Sequence, residues 1–322
     1  MGTRVGLDFR KGEGMPRITV LSMVGSVLRV TWFRFLTLLG LSVMVLTACG
    51  GASQESRSSE NSNPKVIEGK FDVGDYKLYM RCEGSGSPTV VYLHGFIEQP
   101  PGGASSAGEI PSMLRDEQRV CVYDRANVGK SDEVPGLRTG ESSVTDLHRL
   151  LEEGEVEPPY VLLGASFGGL IADAYAATHP EDVVGMVLLD AEFPEVITLE
   201  HYWPKEDRLK YEDWSYSEEK IDQYDVYKYA LRAGKTPDIP LTYLLATPLS
   251  EGWEGPPGWQ EAVLDELDEY VEGFSPGVLK KVESPHYMEE AVPERIAKEV
   301  DMLIASISQK QGSAHDGKGA DA

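Results

Sequence analysis

Residues 160–169 read Tyr160-Val161-Leu162-Leu163-Gly164-Ala165-Ser166-Phe167-Gly168-Gly169, an apolar run followed at once by a serine framed by glycines. The run has strand length and no polar interruption, as a strand buried on both faces requires. From Gly168 to Thr178 the pattern is helical, so strand gives way to helix within a few residues. In that context a Gly-x-Ser-x-Gly pentapeptide puts the serine on a tight turn with its hydroxyl exposed. Gly164 and Gly168 are needed because side chains there would strike neighbouring backbone. The helix that follows aims its N-terminal amides at negative charge developing on a bound reactant. Ser166 is therefore a candidate nucleophile.

Working outward, Thr89–Leu93, Arg119–Tyr123 and Val183–Leu189 repeat the apolar strand pattern, and Val66–Phe71 with Lys77–Cys82 reads as a hairpin. Val144, Leu147, Leu150 and Leu151 recur at helical spacing over Val144–Glu153. Strand and helix alternate, which predicts an α/β fold with a mostly parallel central sheet flanked by helices. Between Ala191 and Ile239 the alternation stops and nine aromatic residues occur in 49. This segment reads as a helical insertion, a cap over the sheet. Leu241–Ala246 resumes the strand pattern, a Trp259–Val271 helix and a Val278–Val282 strand follow, and Ala291–Ile307 closes the domain.

A serine at its ordinary pKa needs a base, most plausibly histidine. Of six histidines, His94 ends a strand, His148 and His179 belong to helical segments, His201 lies in the insertion and His315 in the tail. His286, in Glu283-Ser284-Pro285-His286-Tyr287, follows the last strand and is left by elimination.

Leu93-His94-Gly95-Phe96, Tyr123-Asp124-Arg125-Ala126-Asn127-Val128-Gly129-Lys130-Ser131, the Gly-Ala-Ser-Phe-Gly-Gly turn and His286 together resemble the α/β-hydrolase superfamily over roughly residues 66–308. The resemblance implies an α/β-hydrolase fold and a serine hydrolase, carboxylesterase-like in its chemistry. It also implies an oxyanion hole made by the backbone N–H groups of Phe96 and Phe167. Asp124 and Arg125 are architectural in such proteins. Asn127 departs from a usual glycine but tolerates left-handed backbone. Relatives with epoxide hydrolase or dehalogenase activity carry an aspartate where this chain has Ser166. The third member of the triad should be a carboxylate lying between Ser166 and His286 in the chain. In such proteins the acid usually lies in the loop after the strand that follows the insertion, here Glu251, and in some it follows the strand before the insertion, here Asp190 just after Val183–Leu189; Asp190 is the first candidate and Glu251 the second.

Cys82 and Cys121 lie on neighbouring strand segments and fit one disulfide, two buried thiols being the alternative. There is no Cys/His cluster at zinc spacing, no Gly-x-Gly-x-x-Gly and no phosphate-binding loop, so no cofactor is expected.

Residues 35–48 form an uncharged, mostly apolar run preceded by Arg29 and Arg34 and ending in Leu46-Thr47-Ala48-Cys49. Fourteen residues fall short of the ~20 that span a bilayer, which favours an export signal over a transmembrane helix. Leu-Thr-Ala-Cys resembles a bacterial lipobox, implying lipidation at Cys49. The expected organisation is a signal peptide over 1–48, a flexible tether over 49–65 and a hydrolase core over 66–190 and 240–310. The cap occupies 191–239 and a disordered tail 311–322. With 30 basic and 53 acidic residues the chain carries a net charge of −23; residues 1–48 hold six of the former and two of the latter, leaving −27. Such a surface excludes nucleic acid as an expected partner. It also leaves attachment to the extracytoplasmic face of a membrane to the lipid. The remaining partner is a small-molecule substrate. Two rivals stand beside the esterase reading. A proline-iminopeptidase-like aminopeptidase would use cap carboxylates such as Glu192, Glu195 and Glu200, and a binding protein could have kept the scaffold without catalysis.

Overall fold

The computed structural model describes residues 66–97, 102–202, 204–205, 217–234, 238–249 and 256–316. The expected signal segment, Cys49 and the tether lie outside these residues, as do Glu251, parts of the insertion and positions 317–322. The chain divides into two units, Met1–Ser59 and Glu60–Ala322, and every described residue belongs to the second.

Eight strands form one sheet in the order β1-β2-β4-β3-β5-β6-β7-β8. They are β1 Ile67–Asp72, β2 Lys77–Glu83, β3 Thr89–Leu93, β4 Val120–Tyr123, β5 Tyr160–Ala165, β6 Val183–Leu189, β7 Leu241–Thr247 and β8 Gly277–Glu283. The pairs β1/β2 and β2/β4 are antiparallel and the other five are parallel. Central strands are buried throughout because alternate residues serve opposite faces. Val91 and Leu93 join one apolar cluster with Leu162, while Val90 and Tyr92 join the other with Val161 and Leu163.

The helices are α1 Ile110–Leu114, α2 Gly140–Glu153, α3 Phe167–Thr178, α4 Gln223–Ala233, α5 Trp259–Glu272, α6 Met288–Ala291 and α7 Pro293–Asp316. α2 begins at Gly140 rather than Val144 because Thr139 and Ser142 cap each other: Thr139 Oγ1 accepts from Ser142 N, and Ser142 Oγ accepts from Thr139 N at 2.8 Å. The closing helix runs to Asp316, so the tail expected from residue 311 starts no earlier than 317. The Gln, Ser and Ala in this stretch are compatible with helix, and its single Gly312 costs only about 1 kcal/mol. Between β6 and β7 the described residues form a 3-10 segment, Pro194–Tyr202, and α4. α4 packs against α2 and α3 through buried Val226 and Ala230, so this part of the insertion joins a helical layer beside the sheet. Among the described residues no helix is long and apolar enough to cross a membrane.

Cys82 and Cys121 stand opposite each other in the β2/β4 pair with Cα atoms 4.0 Å apart, and they form a disulfide. The bond closes a loop between residues 39 apart in sequence. Replacing both cysteines with alanine should lower the unfolding free energy by roughly 2–4 kcal/mol through the looser unfolded chain. Urea titration measures this, and an unchanged midpoint would refute the contribution.

Candidate active site

The carboxyl ends of β3, β5, β6 and β8 meet at one edge of the sheet, and each delivers one part of the site. Ser166 stands between β5 and α3 at φ 48° and ψ −125°, a conformation L-residues rarely adopt. A Cβ on Gly168 would lie 2.1 Å from the Leu93 carbonyl oxygen, and one on Gly164 would lie 2.7 Å from Gly169 Cα. Only glycine fits either place. The turn is tied down by Ser166 N donating to Leu189 O at 3.0 Å, while Ser166 O accepts from Gly169 N at 2.9 Å and Glu192 N at 3.0 Å.

His286 lies in the loop between β8 and α6. Its Nε2 is 3.0 Å from Ser166 Oγ and its Nδ1 is 2.7 Å from Asp190 Oδ2. With Asp190 ionised, Nδ1–H donates to the carboxylate and Nε2 accepts from the serine hydroxyl. Asp190 is buried at the end of β6, with φ 41°. The next strand positions it: Asp190 N donates to Leu244 O, Ala246 N donates to Asp190 Oδ1 at 3.1 Å, and Tyr243 Oη donates to Ala191 O. Of the two carboxylates expected from sequence, the structure brings Asp190 to His286, and Glu251 lies outside the described residues.

The Asp190 hydrogen bond raises the His286 pKa above its ordinary 6.5 against the opposing effect of burial, and the charges of Asp190, Glu289 and Glu192 add to the rise. Glu192 and Glu289 were not singled out by sequence as neighbours of His286. Burial raises both carboxyl pKa values, partly offset by hydrogen bonds from Tyr227 to Glu192 at 2.6 Å and from Tyr92 to Glu289 at 2.7 Å. Glu192 is detectable in hindsight as the second carboxylate of Asp190-Ala191-Glu192; Glu289 stands three residues past His286, in α6.

The segment His94–Ile97 runs beside the serine: a Cβ on Gly95 would come within 3.3 Å of Ser166 Cβ. The rings of Phe96 and Phe167 meet edge to face, 6.0 Å between centroids. His94 is fully buried, and burial together with Arg125 pushes its pKa far down, so it stays neutral. Asp124 is structural as well: its oxygens accept from Ala104 N at 2.6 Å and Lys130 N at 2.8 Å, knitting the 103–107 turn to the sheet. Asn127 takes the left-handed conformation, φ 67°, that its position requires. Among the described residues no group of three or more His, Cys, Asp or Glu side chains is placed to hold a metal ion.

Residues 88–259, just over half the chain, match the sequence profile described as alpha/beta hydrolase fold. The chain belongs to the alpha/beta hydrolase fold family. Within this family it is similar to the uncharacterized protein YqjL of Bacillus subtilis, 36% identical over 110 residues that cover 34% of this chain and 41% of that one. It is also similar to a proline iminopeptidase of Arabidopsis thaliana, 32% identical over 167 residues covering 45% and 42% of the two chains. The chain thus spans less than half the length of these curated relatives. Among solved structures, a bromoperoxidase from Bacillus anthracis superposes with a TM-score of 0.54 at 17% identity, covering 74% of this chain and 99% of that one, a likeness of fold.

Because the Asp190 hydrogen bond is the largest cause of the raised His286 pKa, Asp190→Asn should move the His286 titration midpoint downward. Imidazole proton NMR against pH reads this directly; a midpoint unchanged in a folded variant would remove Asp190 as the cause.

Proposed function

We propose that this hydrolase is a serine hydrolase that cleaves an ester, or an amide, of a small and largely apolar substrate. The observation that carries the reading is the continuous chain of hydrogen bonds from buried Asp190 through His286 to Ser166 Oγ.

Ser166 Oγ attacks the carbonyl carbon while His286 Nε2 takes the hydroxyl proton, and Asp190 stabilises the imidazolium so formed. The carbonyl π pair moves onto oxygen, and the oxyanion accepts hydrogen bonds from the amides of Phe96 and Phe167. Collapse of the intermediate breaks the bond to the leaving group, which receives its proton from His286. Water then adds to the acyl carbon as His286 takes its proton, and collapse of this second intermediate breaks the bond to Ser166 Oγ, which recovers the proton from His286 as the substrate acid leaves. A neutral base is needed for the first step, so the raised His286 pKa puts the acid limb of the rate above pH 6.5.

The place of action is the extracytoplasmic face of a membrane, with the lipid on Cys49 as anchor. Support comes from the Leu46–Cys49 sequence and from the Cys82–Cys121 disulfide, a bond of oxidising compartments. Cys49→Ser should move the protein from the membrane to the soluble fraction, and retention would overturn the anchor.

A second reading, an aminopeptidase, is favoured by Glu192, held by Tyr227 beside His286, and by the similarity to a proline iminopeptidase. Turnover of p-nitrophenyl butyrate against prolyl-naphthylamide separates the two. On the preferred substrate Ser166→Ala should lower kcat by about 10³-fold or more. Hydrolysis at the wild-type rate by Ser166→Ala would refute the proposed chemistry.

A further inference from the structure

A buried ion pair joins the insertion to the loop that carries Phe96. Glu219 lies just before α4, and 1% of its side chain is exposed; Arg125 follows β4, with 6% exposed. Arg125 Nε donates to Glu219 Oε1 and Arg125 Nη2 donates to Oε2 at 3.1 Å, a forked pairing. The guanidinium continues beyond the carboxylate: Nη1 donates to the His94 carbonyl at 2.7 Å and Nη2 to the Gly95 carbonyl at 2.8 Å. Glu219 Oε2 also accepts directly from Ile97 N at 3.1 Å. Two successive carbonyls before Phe96 and the amide after it are thus held by one ion pair. Its carboxylate end is anchored in turn, since Asn127 Nδ2 donates to Glu219 O and Arg138 N to Lys220 O.

The geometry of the peptide unit gives this arrangement its consequence. The Gly95 carbonyl and the Phe96 N–H belong to one planar trans unit and point in opposite directions. Fixing the carbonyl against Arg125 therefore fixes the direction of the amide. We propose that Glu219 is a positioning residue that, through Arg125, sets the Phe96 amide for the oxyanion. This deepens the serine hydrolase reading and rests on it. It also makes the inserted segment a part of the chemical machinery, because Glu219 is the carboxylate that orients the guanidinium.

The test uses p-nitrophenyl butyrate hydrolysis by the full chain, with rates expressed per active site from the burst of p-nitrophenolate. Glu219→Gln keeps the shape but presents an NH2 group to one of the donors. It should lower kcat and kcat/KM together by about 10–100-fold, below the full effect of losing one oxyanion donor, with KM within about twofold. Affinity for a trifluoromethyl ketone, whose hemiketal oxyanion uses the same amides, should fall in the same ratio. A simple packing role would not move these two quantities in step. If Glu219→Gln does not fold, Arg125→Met/Glu219→Leu, which leaves no lone buried charge, takes its place and should show the same parallel loss. Unchanged kcat, or a loss confined to KM, in either folded variant would overturn the role of Glu219. Full activity in Ser166→Ala would instead overturn the serine hydrolase reading, so the two failures are told apart.

Discussion

At Ser166 the chain passes from strand to helix through a single residue held at positive φ. That conformation costs on the order of 1–3 kcal/mol and persists only where its surroundings over-determine it. Here they do so by contact and by hydrogen bonding. The end of β3 presses so closely on the start of α3 that a Gly168 Cβ would strike the Leu93 carbonyl. The backbone of Ser166 is meanwhile bound to both sides of the β6 turn, at Leu189 and Glu192. Three consequences follow from this one constraint. The hydroxyl is pushed out at the sheet edge, the His94–Ile97 segment is brought alongside it, and the residue ending β6 is drawn near enough for its carboxylate to reach the histidine.

The carboxyl groups around His286 occupy different electrostatic situations. Asp190 receives a backbone N–H on one oxygen and the imidazole on the other. Glu192 and Glu289 are pushed toward protonation by burial and are each tied to a tyrosine. Asp190 directly follows β6 rather than lying in the loop after β7, and β7 instead provides the groups that hold it: the Leu244 carbonyl, the Ala246 amide and the Tyr243 hydroxyl. A carboxylate on one strand is thereby supported by the next.

Strands buried on both faces leave uninterrupted apolar runs, and β3, β6 and β7 can be read from sequence within a residue of their bounds. The Gly164–Gly169 turn is legible for a related reason: contacts that exclude every side chain leave glycine as the only choice. His286 follows from elimination, whereas the sequence leaves Asp190 and Glu251 both standing as its carboxylate partner. What sequence conceals is contact between distant residues. Glu219 lies 94 positions from Arg125 in an aromatic, acid-rich segment where one more glutamate carries no signal. Tyr227 and Tyr92 likewise look like ordinary aromatic residues until the fold sets them against Glu192 and Glu289. The 103–114 region escapes notice because its turns are short and are held by the Asp124 side chain rather than by a periodic apolar face.

The most direct measurement is a crystal structure of the protein after reaction with a fluorophosphonate. A Ser166 nucleophile polarised by His286 and served by two amides predicts phosphorus bonded to Ser166 Oγ, with the phosphoryl oxygen about 3 Å from both Phe96 N and Phe167 N. An adduct on another residue, or a phosphoryl oxygen turned away from those amides, would contradict it.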